Sequence, residues 1–121
     1  MQRKSSNSVK IYYPKYNKEK IIKLLKAKIH RIKKKIPVKK VILFGSYASG
    51  KYTVASDIDI LIVYKGPKRE DAYNICWDII EIPELQLHIY SEEEYAKLKQ
   101  RNSSIPKEAE TQGVIIWEES T

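Results

Sequence analysis

Two short apolar runs constrain the fold of this chain more than any other feature. Val41-Ile42-Leu43-Phe44 is rich in β-formers and ends at Gly45. Asp57-Ile58-Asp59-Ile60-Leu61-Ile62-Val63-Tyr64 follows and ends at Gly66-Pro67. Runs of this length, closed by glycine and rich in β-branched residues, read as buried strands. Buried strands need cover, and the flanking sequence supplies it. From Lys18 to Ile36 the apolar residues Ile21, Ile22, Leu24, Leu25, Ile29, Ile32 and Ile36 recur at spacings of 3, 4 and 7. That makes one helical stripe with lysines on the opposite face, and Pro37 stops it. Lys68 to Ile82 repeats the helical spacing until Pro83. Leu85 to Tyr90 alternates as a third strand, with Leu85, Leu87 and Ile89 on one face and Gln86, His88 and Tyr90 on the other. Ser91-Glu92-Glu93-Glu94 is a capping box opening a helix to about Gln100. Pro106 begins a last helix, Gly113 ends it, and Val114 to Trp117 reads as a final strand. The expected fold is α/β (α+β): a small mixed β-sheet with helices packed against it.

A length of 121 residues suits one domain. We assign it to 18–121, preceded by a basic, partly flexible tail at 1–17 that clusters Tyr12, Tyr13 and Tyr16 around Pro14. The 42% hydrophobic content excludes a fully disordered chain. A single cysteine, Cys76, excludes an internal disulfide framework and a multi-cysteine zinc site; inside a helical stripe it reads as a core thiol. No apolar run approaches the ~20 residues that cross a bilayer, and MQRKSSNSVK lacks a signal-peptide stretch, so the expected location is cytoplasmic, away from membranes. The net charge of +8 is uneven. Residues 1–40 hold 15 Lys/Arg and one acid, Glu19, whereas residues 41–121 hold 8 Lys/Arg and 14 acids. A basic front can attract nucleic acid, nucleotide phosphates or an acidic protein face, or it can be a solvated helix face. No nucleic-acid motif accompanies it, so nucleic acid is not the favoured partner. The nine tyrosines, Tyr47 and Tyr52 among them, could form a binding surface or ordinary core. His30, alone on its helix, reads as structural or solvent-facing.

The stretch that carries chemistry is VILFGSYASGKYTVASDIDILIVY, residues 41–64. Gly45 lets the backbone bend sharply and approach a ligand. Ser46 adds a hydroxyl, and N–H groups opening the next helix can bind phosphate. Asp57 and Asp59, two apart at the start of a strand, point to one side. Adjacent carboxylates repel, so a cation belongs between them, and hard oxygen donors with room for water and phosphate suit Mg2+. Each feature has an ordinary structural reading by itself. Together, eleven residues apart on neighbouring elements, they are equipment for phosphoryl or nucleotidyl transfer.

GSYASG followed by SDIDILIV resembles the G-S-x-x-x-G…S-D-x-D signature of the minimal nucleotidyltransferases (MNT domains) of the polymerase β-like superfamily. The order of elements extends the likeness over about residues 18–117. The resemblance implies that Gly45 and Ser46, with Ser56, bind a nucleoside triphosphate. It also implies that Asp57 and Asp59 are the catalytic carboxylates and bind Mg2+, and that a nucleoside monophosphate passes to a hydroxyl with release of pyrophosphate. ATP is the expected donor. Small members often serve as the antitoxin of a HEPN-type ribonuclease, and some adenylylate it, so a HEPN-domain protein is the expected partner. A homo-oligomer is plausible for so small a chain with an open sheet edge. Two positions depart from the pattern. Ser49 stands where the family often has Arg, with Lys51 nearby. The third carboxylate, usual on the next core strand, corresponds to Gln86, a poor magnesium ligand and no general base. Glu84 and His88 flank it on the same face; His88 could accept a proton or be a plain sheet residue. The alternative function is therefore a catalytically weak or inactive binding module that neutralises a HEPN-like partner by docking.

Overall fold

The computed structural model describes residues 17–53 and 56–120. Residues 1–16 of the tail assigned to 1–17, with Tyr12, Tyr13 and Tyr16, lie outside them. Asn17, placed in the tail by sequence, is instead the N-cap of the first helix, its side chain accepting the Lys20 N–H at 2.8 Å. The elements run α1 (Lys18–Lys33), β1 (Val38–Phe44), α2 (Ser46–Ser49), β2 (Ile58–Tyr64), α3 (Ala72–Ile80), β3 (Leu85–Ser91), α4 (Glu92–Gln100), α5 (Ser104–Gln112) and β4 (Val114–Glu118). The strands form one sheet in the order β3-β2-β1-β4. β1 is antiparallel to β2 and β4, and β2 is parallel to β3. The mixed α/β architecture expected from the sequence is the one formed.

Alternation along β1 and β2 splits the core between the two faces of the sheet. Val41, Leu43, Ile58, Ile60, Ile62 and Tyr64 pack with Ile21, Leu25, Ile29 and Ile32 of α1 and with Cys76, Ile79 and Ile80 of α3. Ile42, Phe44, Leu61 and Val63 pack on the other face with Tyr95 of α4 and Ala109 of α5. Tyr47 and Tyr64 are buried, which places those two tyrosines in the core. Gly113 is required by space, because a Cβ there would come within 2.5 Å of Ile42 Cγ2 and closer still to the Ala109 carbonyl.

Several boundaries differ from the sequence reading; β2 opens at Ile58 rather than Asp57, and α5 at Ser104 rather than Pro106. α1 ends at Lys33 rather than Ile36, since the residue before a proline is pushed out of the helical region; Ile36 is buried all the same. β1 starts three residues earlier, at Val38, because Lys39 and Lys40 fit a strand once Glu92 (2.6 Å) and Glu118 (3.5 Å) pair with them. α3 starts at Ala72 rather than Lys68. The intervening chain is held by an Arg69–Asp71 ion pair and by the Arg69 N–H donating to the Tyr64 hydroxyl at 2.8 Å. The capping box at Ser91 and Glu94 forms as expected.

Burial pushes the Cys76 thiol up to about 12. An unfolded thiol ionises near 9, so between those values unfolding releases a proton and stability falls as pH rises, by at most about 1.4 kcal/mol per pH unit. Urea unfolding of the wild type at pH 8 and pH 10 should show this loss, and Cys76→Ala should reduce it. An equal loss in the variant would remove Cys76 as its source.

Candidate active site

Phe44 ends β1 opposite Asp59 of β2. The chain turns immediately, and Gly45 makes the turn at φ +77°, a region costly for residues bearing a Cβ. Space makes the same demand: a Cβ on Gly45 would lie 2.4 Å from Asp59 Oδ2. The glycine-serine turn and the second carboxylate are thus brought together, with the Asp59 side chain filling the room that a side chain at 45 would take. Gly45→Ala is expected to displace Asp59 and to cost about 1–2 kcal/mol in backbone strain. Nucleotide binding, followed by calorimetry, should fall by more than the loss of thermal stability explains. Unchanged nucleotide affinity would show that the turn is only structural.

The turn is buttressed by α1, a support the sequence reading missed. Lys18 Nζ donates to the Ala48 carbonyl at 2.8 Å, and the Lys18 N–H donates to the Tyr52 hydroxyl at 3.1 Å. The Tyr52 ring stacks on Tyr47, with centroids 4.3 Å apart and planes 4° from parallel. Burial pushes the Tyr47 phenol up. A lysine at the first position of an amphipathic helix carried no signal of this role, because every polar position of α1 invites lysine. Lys51, considered as a stand-in for the missing Arg at Ser49, closes α2 with its backbone N–H on the Ser46 carbonyl at 3.0 Å; its side chain is exposed. The Ser56 hydroxyl accepts the Thr53 N–H at 2.8 Å, which makes it the clasp of the turn leading into Asp57.

Asp57 is exposed and directly precedes β2, and Asp59 is partly buried within it. The buried Ile58 between them faces the α1/α3 side, so continued alternation puts both carboxylates on the α4/α5 side. Across the parallel ladder, Gln86 is the register partner of Asp59 and shares its face. Gln86, the position the resemblance matches to the third carboxylate, thus lies beside Asp59 on the ladder. Glu84 lies outside the strand at φ +62°, its carbonyl accepting the Ile58 N–H at 2.8 Å. His88 reaches Asp59, with Nε2 3.3 Å from Asp59 Oδ1 and its ring 5.2 Å from that of Phe44. His30 is exposed on α1.

Among the described residues, no three His, Cys, Asp or Glu side chains gather into a ready-made cage. A magnesium-type ion does not need one, since it commonly takes one or two carboxylates and completes its shell with water and substrate phosphates. Two hard-oxygen donors beside a turn with no room for a Cβ fit that pattern. A cavity of about 490 Å3 lies over the far end of β1 and is lined by Lys39, Lys40, Glu92, Tyr95 and Lys99 among others. None of the signature residues lines it, so it is not the site that the carboxylates define.

Comparison with known proteins bears directly on this arrangement. The family described as nucleotidyltransferase domain matches residues 19–116, most of the chain. The chain belongs to the nucleotidyltransferase domain family. Two relatives come from Methanocaldococcus jannaschii. "Putative protein adenylyltransferase MJ0604" is 77% identical over 26 residues, 22% of this chain and 26% of that protein. "Putative protein adenylyltransferase MJ0126" is 39% identical over 66 residues, 51% of this chain and 67% of that protein. The matched segment thus spans about a quarter of the first relative and two thirds of the second. Among solved structures, a nucleotidyltransferase-type protein from Sulfolobus solfataricus superposes with a TM-score of 0.56 at 25% identity, covering 84% of this chain and 83% of that one. A complex of a tri-AMPylated Shewanella oneidensis HEPN toxin with an MNT antitoxin gives 0.51 at 20% identity, covering 81% and 73%; this is a likeness of fold. Among the described residues of this nucleotidyltransferase domain, no helix is long and apolar enough to cross a membrane.

Proposed function

We propose that this nucleotidyltransferase domain transfers the AMP moiety of ATP to a protein hydroxyl, in a reaction dependent on Mg2+, and that it does so as the antitoxin partner of a HEPN-domain protein. The observation that carries the reading is the packing of Asp59 against Gly45, which sets a metal-type carboxylate beside a phosphate-type turn. Gly45 and Ser46 hold the triphosphate, with Ser56 shaping the approach to Asp57. Asp57 and Asp59 hold the divalent cation, which when bound neutralises phosphate charge. The acceptor oxygen bonds to the α-phosphorus as the bond to the bridging oxygen breaks and pyrophosphate leaves. The protein acceptor is supported by the names of the two archaeal relatives and by the AMPylated toxin in the neighbouring complex.

The test is incubation of the purified chain with [α-32P]ATP, Mg2+ and a purified HEPN-domain protein from the same source. Label on that protein is the expected result; none, with ATP still bound, would overturn the transferase reading. A second reading has one observation in its favour: Gln86, not a carboxylate, stands in register with Asp59. On that reading the domain neutralises its partner by docking, and suppression of the partner survives when Asp57 and Asp59 are replaced.

A further inference from the structure

The outer face of α1 takes no part in the transfer site. Ile21, Leu25, Ile29 and Ile32 turn inward. Opposite them, Lys23, Ala27, His30 and Lys34 recur at helical spacing, flanked by Lys26 and Arg31, and all six are exposed. What separates this face from a plain solvated one is that its charge is not neutralised. Elsewhere acids sit beside lysines: Lys39 pairs with Glu92, Lys40 with Glu118, Lys65 with Glu119 and Lys99 with Glu110. On α1, Lys28 pairs with Glu81 at the C-cap of α3. Among the described residues, no acidic side chain pairs with Lys23, Lys26, Arg31, Lys34 or Lys35. These cations are strung along roughly 18 Å at 1.5 Å per residue.

We propose that the outer face of α1 binds the phosphate backbone of a nucleic-acid duplex, without regard to base sequence. A row of unneutralised cations on a rigid helix matches a row of anions, and a duplex carries one charge per about 1.7 Å of its axis. The face offers no Phe, Tyr or Trp on which the bases of a single strand could stack, and no Asn or Gln to read a base edge. It is also poorly suited to a protein. Lysine is depleted at protein interfaces, whose cores favour aromatic residues, Met and Arg, whereas here lysine predominates around Ala27. Phosphate contacts need only well-placed charge. α1 packs on the sheet face opposite the one that carries Asp57 and Asp59, so this surface is separate from the transfer site and does not depend on the transfer reaction.

The test is fluorescence anisotropy of the full chain on short labelled DNA and RNA duplexes of mixed sequence. Binding is expected to at least one of them, and the ratio of affinities assigns which. Log K should fall against log [salt] with a slope of about −4, the release of counterions from about four to five phosphates. Lys23→Gln, Lys26→Gln and Lys34→Gln together should reduce that slope by about three. At about 0.1 M salt they should weaken binding on the order of 100-fold, equally for every sequence. Lys97→Gln, Arg101→Gln and Lys107→Gln remove the same charge from exposed positions on and after α4 and on α5, and should weaken binding less than about tenfold. Thermal melts and ATP binding should stay unchanged in both triple variants, because these are surface positions away from the signature residues. No binding to either duplex at low salt would overturn the inference. So would equal losses in the two triple variants, or tighter binding to polyglutamate than to either duplex, which would assign the face to an acidic protein.

Discussion

Replacement of both Asp57 and Asp59 by Asn is expected to reduce transfer of labelled AMP by about 10³-fold or more. Charge stabilisation by a bound cation is worth several kcal/mol in the transition state, and each 1.36 kcal/mol is a factor of ten in rate. Folding should not suffer. Asp57 is exposed and Asp59 partly so, and removing two like charges from one face relieves repulsion rather than breaking a buried pair. The thermal melt of the double variant should therefore match or exceed that of the wild type. The same variant separates the two functional readings. Loss of label together with loss of partner suppression identifies a transferase. Loss of label with suppression retained identifies docking as the active principle. Transfer at the wild-type rate would show that these carboxylates are not the catalytic pair.

Leu61→Ala carries the largest expected effect on stability. Leu61 is fully buried in β2, on the face that packs against Tyr95 and Ala109, two residues from Asp59. Truncating a buried leucine costs about 2–5 kcal/mol through lost transfer energy and the cavity left behind. Domains of this kind have about 5–15 kcal/mol in total, so the melting temperature should drop on the order of 10 °C. Urea unfolding monitored by circular dichroism measures the change directly. A loss below about 1 kcal/mol would mean that the second face of the sheet repacks freely and is not a defined core.

How much of this was legible beforehand depended on whether a feature was local. The helical stripe of α1, the capping box at Ser91 and the strands read at 41–44 and 57–64 are short-range patterns, and the structure forms them with shifts of a few residues at their ends. The shift at the start of β1 came from long-range partners. Lys39 and Lys40 look like loop until Glu92 and Glu118, 53 and 78 positions away, are set beside them. The active-site signature was equally local, and so was the suspicion that Gln86 stands where a third carboxylate would. The register of a parallel pair is not local, however, and only the ladder of β2 with β3 shows that Gln86 opposes Asp59 while Glu84 stays in the turn. The reach of His88 and the buttress from Lys18 were invisible for the same reason: each is a contact across 29 or 30 positions of chain.

The strand order carries a consequence for how this chain comes to be made. β1, formed by residue 44, has β2 on one side and β4 on the other, and β4 is Val114–Glu118, the last strand among the described residues. One flank of β1 therefore has no mate until the chain has grown about 70 residues beyond Phe44. Pairings over such separations close slowly, and an unpaired flank on an apolar strand is a template for association with other chains. A chain cut short before Val114 would keep every signature residue of the site and still expose that flank. Its fate would be set by aggregation during biosynthesis rather than by chemistry.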